Sequence, residues 1–147
     1  MGNLYEYFSA ADDEEAAAAL GRKGWTQDRG ARTLAVKGID PAVQIGRLEE
    51  LLTGRPYAQI TADPRFARRI GPSWADRGVV TLTDTLTRAL AAGEESDLAQ
   101  VTVDWSQIAE FDGQADPMDL AEFLFELSAI AARASERGHR LYCRWSR

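Results

Sequence analysis

The 147-residue chain contains one cysteine, Cys143, and one histidine, His139. A single thiol rules out a disulfide framework within the chain, and one Cys with one His cannot make a Cys/His zinc site. Histidine-based chemistry therefore has one carrier. Lysine is scarce too: Lys23 and Lys37 are the only two among 17 basic residues. With 24 alanines, that arginine bias is the composition associated with high-GC actinobacteria.

No uncharged run approaches the roughly 20 residues a membrane helix needs. The opening MGNLYEYFSA lacks the basic and apolar regions of a secretory signal, and Glu6 stands where a myristoylation motif has Ser or Thr. A soluble cytoplasmic protein is expected. P-loop, G-x-G-x-x-G, G-x-S-x-G and H-E-x-x-H motifs are all missing, so no catalytic residue, cofactor or metal site is assigned.

What is present is a globular composition, 45% apolar and 27% charged, over a length that suits one domain. Seventeen basic against 23 acidic residues give a net charge of −6, which argues against nucleic acid or an anionic membrane as partner.

Periodicity and punctuation outline the elements. Asn3–Ser9 is aromatic-rich and reads as a strand. Asp12–Glu15 place carboxylates at the start of a short helix over Ala16–Leu20 that Gly21 closes. Gly24–Arg32 reads as a surface loop and Thr33–Lys37 as a second strand. Asp40-Pro41 caps a helix to about Leu52, with Ile45, Leu48 and Leu52 on its core face and Arg47, Glu49 and Glu50 pointing elsewhere.

Asp63-Pro64 is expected to cap a short helix carrying Phe66 and Ile70. Val79–Leu82 reads as a strand, and Thr83 or Asp84 caps a helix with Leu86 and Leu90 that ends at Gly93. Leu98, Val101, Trp105 and Ile108 form a helical stripe. Asp112-Gly113 is a turn, Asp116-Pro117 caps the longest helix, to about Arg137, and Gly138 closes it. Arg140–Trp145 is a last strand, with Leu141 and Cys143 on one face and Tyr142 and Arg144 on the other. The expected fold is a single α/β or α+β domain of about four strands and five helices, the first and last strands sharing one sheet.

The opening MG- strand, Ile39-Asp40 before a helix that ends Leu51-Leu52-Thr53-Gly54, Gly71-Pro72 ahead of Val79-Val80, and a long helix leading into a C-terminal strand together resemble the YfbM-like family of uncharacterised bacterial proteins. The resemblance implies a one-domain mixed α/β fold and brings no catalytic residue or cofactor. An Arg-rich middle and an alanine-rich first helix depart from the family pattern.

Individual residues offer little chemistry. His139, at the exit of the last helix, suits a terminal carbonyl contact. Cys143 lies about 13 Å from it along an extended strand, too far for a dyad. Asp112, Asp116 and Asp119 cluster around a turn, but the spacing misses an EF-hand, and turn and cap roles explain two of them.

Charge placement says more. Between Arg88 and Arg133 there is no Lys or Arg, while Glu94, Glu95, Asp97, Asp104, Glu110, Asp112, Asp116, Asp119, Glu122 and Glu126 place ten negative charges there. An acidic face is expected from the Trp105 helix, the next turn and the outer side of the last helix. On that helix Phe125 and Met118 lie opposite the apolar stripe, so Phe125 is either buried under a second element or an anchor ringed by charge.

The expected partner surface is accordingly Asp112, Asp116, Met118, Asp119, Glu122, Phe125 and Glu126, facing a basic protein such as a nuclease toxin, as in an immunity or antitoxin-like inhibitor. Carboxylates that only keep the domain soluble account equally for the charge. The rivals are a ligand or enzyme site near His139 and Tyr142 with Tyr5 and Tyr7, and a subunit of a larger assembly in which Phe125 is covered.

Overall fold

The computed structural model describes residues 3–21, 33–72 and 74–147. The expected loop at Gly24–Arg32 lies outside the described residues. Five antiparallel strands form one sheet in the order β2-β1-β5-β4-β3: β1 (Leu4–Ala10), β2 (Leu34–Lys37), β3 (Arg69–Ile70), β4 (Arg77–Thr81) and β5 (Arg140–Ser146). The two ends of the chain meet at its centre, where Tyr5 pairs with Trp145 and Tyr7 with Cys143.

Strand alternation divides the side chains between two faces. Tyr5, Tyr7, Val80, Leu141 and Cys143 enter the main core, whereas Phe8, Val79 and Tyr142 enter a smaller one on the reverse face. The main core is roofed by α2 (Gln44–Thr53), α4 (Asp84–Ala92), α5 (Glu95–Ser106) and α6 (Pro117–Arg137). The reverse face is covered over Phe8 and Tyr142 by α1 (Asp13–Ala17) and the 3-10 turn after it.

The caps form where Asp, Thr and Gly stand. Asp12 accepts from the Glu15 amide, Thr83 from Leu86 and Asp116 from Met118, while Gly138 ends α6 at φ +68°. That left-handed conformation is one only glycine adopts cheaply. Asp40 Oδ1 accepts from the amides of Ala42 and Val43 at 2.7 and 3.0 Å, which holds a turn over 41–43, so that α2 begins at Gln44 and not, as expected, at Pro41.

Three more expectations need correction. The sheet has a fifth strand, because Ile70 lies in β3 opposite Val79 and not on a helix. Asp63 caps only a turn, through the Arg65 amide, and the helix that does form there, α3 (Tyr57–Thr61), precedes it. Glu49 does not face outward: it is 2% exposed.

The Glu49 carboxylate is tolerated because both of its oxygens meet donors, three in all, one of them a guanidinium. It accepts from the Thr83 hydroxyl, from Thr85 Oγ1 at 2.7 Å and from Arg55 Nη1 at 3.1 Å. Thr83 is also the cap of α4, so this buried network ties α2 to the start of α4. A buried carboxylate without such partners would be strongly destabilising.

Candidate functional site

The outward side of α5, the 3-10 turn Ala109–Phe111 and α6 carry the candidate face. α5 packs its Leu98 and Trp105 inward, and the Trp105 indole N–H donates to the Gln44 carbonyl at 2.9 Å. Gln44 in turn donates to the Glu110 carbonyl at 3.2 Å. These two bonds fix α5 and the turn after it against the start of α2.

α6 buries Leu120, Phe123, Leu124, Leu127, Ile130, Ala131 and Ala134, which leaves Asp119, Glu122 and Glu126 in a row on the solvent side, as spacings of three and four dictate. All ten carboxylates between Arg88 and Arg133 are exposed. Glu110 alone among them forms an ion pair among the described residues, with Arg47 Nε at 3.0 Å. A bond from its own backbone amide and the Arg47 guanidinium hold its carboxyl below the usual range.

The Arg-rich stretch does not neutralise this face. Arg65 pairs with Asp13 at 3.1 Å and approaches Asp84 at 3.9 Å, Arg69 lies over the Trp145 ring, and Arg77 lies over Trp74. All of these partners lie outside the acidic segment.

Met118 is the most exposed large apolar residue of the described chain, at 79%. Phe125 falls between the two expected alternatives: it is half-buried, packs against the main core and lines an open groove of about 430 Å³ with Ala91, Gly93, Leu98 and Ala129. Ser128 donates to the Leu90 carbonyl at 2.8 Å beneath this groove and pins α6 to the end of α4. Glu95 stands on the groove wall. The face thus combines a shallow apolar slot with uncompensated negative charge.

The residues of the expected ligand site near His139 do not converge. Tyr142 is fully buried on the reverse face, where its hydroxyl donates to Asp13 at 2.7 Å. Tyr5 and Tyr7 are on the opposite face, donating to Asp40 and to the Ile39 carbonyl. The His139 amide donates to the Ala134 carbonyl at 2.7 Å, closing α6. Burial pushes the Cys143 thiol well up, which disfavours the thiolate a nucleophile needs. No group of three or more potential metal ligands occurs among the described residues, and Asp112, Asp116 and Asp119 form no such cluster.

Sequence reasoning gives no sign of a second cavity, of about 330 Å³, at the end of the sheet, lined by Asn3, Tyr5, Asp40, Arg69, Trp145 and Arg147 among others. The Tyr5–Trp145 register assembles it. No family model, curated protein or solved structure matches the chain. No helix among the described residues is long and apolar enough to cross a membrane.

Proposed function

We propose that the chain is a protein-binding domain whose α5–α6 face docks on a basic surface of a partner protein, in the manner of an immunity or antitoxin-like inhibitor of a toxin. One observation carries the reading: ten exposed carboxylates on adjoining elements, of which one is ion-paired among the described residues. Charge of one sign left uncompensated beside an apolar slot favours a partner of opposite sign, speeds its encounter and repels wrong partners. A toxin that grips phosphates presents such a basic surface.

Asp112, Asp116, Asp119, Glu122 and Glu126 supply the charge in this reading. Met118 and Phe125 supply apolar contact, Met118 by inserting into the partner and Phe125 as the wall of the groove that receives a partner side chain. Membership of the YfbM-like family and a cytoplasmic location belong to the same proposal. The family rests on the motifs quoted above, and the location suits an inhibitor that protects the cell making it.

The test is a paired charge reversal. Glu122→Lys with Glu126→Lys is compared with Glu14→Lys and Asp76→Lys, which change the net charge equally at exposed positions off the face. Loss of a salt-sensitive partner with the first pair and its retention with the second supports the reading. Equal behaviour of the two pairs overturns it.

A further inference from the structure

The groove beside Phe125 has a direction. Its bank on α6 is Phe125, Ser128, Ala129 and Ala132, at spacings of three and four, so it runs along the helix axis for about 10 Å. The other bank is the corner where α4 ends and α5 begins, formed by Ala91, Gly93, Glu95 and Leu98. That corner is tight: a Cβ on Gly93 would stand 2.9 Å from Leu98 Cδ2 and 3.3 Å from the Ala89 carbonyl oxygen. Leu98 is thereby drawn in under Gly93, and small residues on both banks leave about 430 Å³ open above it.

The banks also decide what kind of backbone fits between them. Both are built from helices, whose main-chain groups bond within the helix over most of its length. Neither offers the alternating row of N–H and C=O groups that an added strand needs. A helix arrives with its own backbone bonds complete and lays down apolar side chains at the same spacings of three and four.

Charge sets the rest. Glu95 stands on one bank with Glu94 and Asp97 beside it in sequence, and Glu122 precedes Phe125 by about one turn of α6. All four are exposed, and none is ion-paired among the described residues. α4 and α6 run antiparallel, since Leu90 meets Ser128 while Asp84 meets Arg140. The exposed Arg88 and Arg133 therefore lie toward the far end of the groove. It is acidic where α5 begins and basic toward the end of α6.

We propose that the groove takes an amphipathic helix of the partner protein, whose apolar stripe fills the slot and whose Lys or Arg side chains, gathered toward one end, lie over Glu95 and Glu122. The inference rests on the reading of the α5–α6 face given above and names the element of the partner that makes the contact. An apolar helix without those cations leaves the four carboxylates uncompensated, and a basic segment without the stripe leaves the slot unfilled.

The experiment titrates the full ¹⁵N-labelled chain with three synthetic peptides of about 14 residues, ~21 Å long as helices. The first carries leucines at helical spacing and lysines toward one end. The second has the same residues reordered with leucine at every second position, and the third has Glu in place of Lys. The expected result is saturable shifts at the Ala91, Gly93, Ala129 and Ala132 amides with the first peptide, bound at least about tenfold tighter than either of the others.

Ala129→Leu, which fills the groove without changing its charge, should weaken the first peptide about tenfold; Ala132→Leu replaces it should that variant fail to fold. Glu122→Lys with Glu126→Lys should weaken both lysine peptides. Equal binding of the first two peptides, indifference to the leucine variant, or no shift at the groove overturns the helix inference. A charge reversal that still weakens the lysine peptides then leaves the acidic-face reading standing. Equal binding of the first and third peptides, unmoved by the reversal, overturns both.

Discussion

Arg47 on α2 reaches Glu110 in the turn between α5 and α6, Nε to Oε2 3.0 Å, and no other cation among the described residues pairs with the ten carboxylates between Arg88 and Arg133. Arg47 also pairs with Glu50 and stacks on Tyr57. The remaining nine charges face solvent. That imbalance, and not any single motif, is what the proposed partner-binding role rests on.

Reversing Glu122 and Glu126 to Lys should leave the thermal midpoint nearly unchanged, within about 0.5 kcal/mol of stability, because both are exposed and unpaired among the described residues. Calorimetry checks this. A large destabilisation would mean that the row of carboxylates serves α6 itself.

Phe125→Ala and Met118→Ala should separate. Phe125 is half-buried against the core, so its truncation should cost about 1–2 kcal/mol, less than the roughly 3–5 kcal/mol of a fully buried Phe, and should weaken partner binding as well. Met118, 79% exposed, should affect binding alone. Denaturant midpoints of the two variants, measured side by side, make the comparison.

Glu49→Ala should be the costlier change, about 3 kcal/mol, since it strands Arg55, Thr83 and Thr85 around an empty site at the start of α4. Glu49→Gln keeps an acceptor and should cost less. Urea unfolding of both variants checks the order.

Hydrogen bonds from Arg65 hold the Asp13 carboxyl below its usual value against the opposing pull of burial, with the Tyr142 hydroxyl adding to the effect. A lowered folded value means that this contribution is complete above the unfolded value of 3.8 and is lost as pH falls through the lower, folded value. Asp13→Asn should therefore flatten stability against pH below about 4 relative to the parent, a difference that a series of thermal melts in acid resolves.

Cys143, fully buried with its thiol pushed up by burial, should resist alkylation in the folded chain and react fully in denaturant. Mass analysis after a timed iodoacetamide pulse gives the answer.

Much of the fold was legible because it is written locally. Asp116-Pro117 and Gly138 bound α6, Thr83 starts α4, and the aromatic β1 and the alternating β5 announce themselves by residue type and period. β3 was not legible: Arg69–Ile70 is two residues long and holds its place only because β4 lies beside it. Glu49 was misread because helical spacing assigns a carboxylate to solvent until Thr83, Thr85 and Arg55, distant in sequence, arrive to satisfy it. The acidic segment was visible as a run of one sign, yet its exposure and lack of counter-ions depend on where Arg65, Arg69 and Arg77 pack. The Trp145 cavity needs strand order, which no local pattern encodes.

The most direct test of the central claim is the salt dependence of partner capture by the parent chain and the two charge-reversal pairs. The account predicts a basic partner held at low salt, released at high salt, lost with Glu122→Lys/Glu126→Lys and kept with Glu14→Lys/Asp76→Lys. A partner that survives reversal of Glu122 and Glu126 with its salt response intact would contradict it.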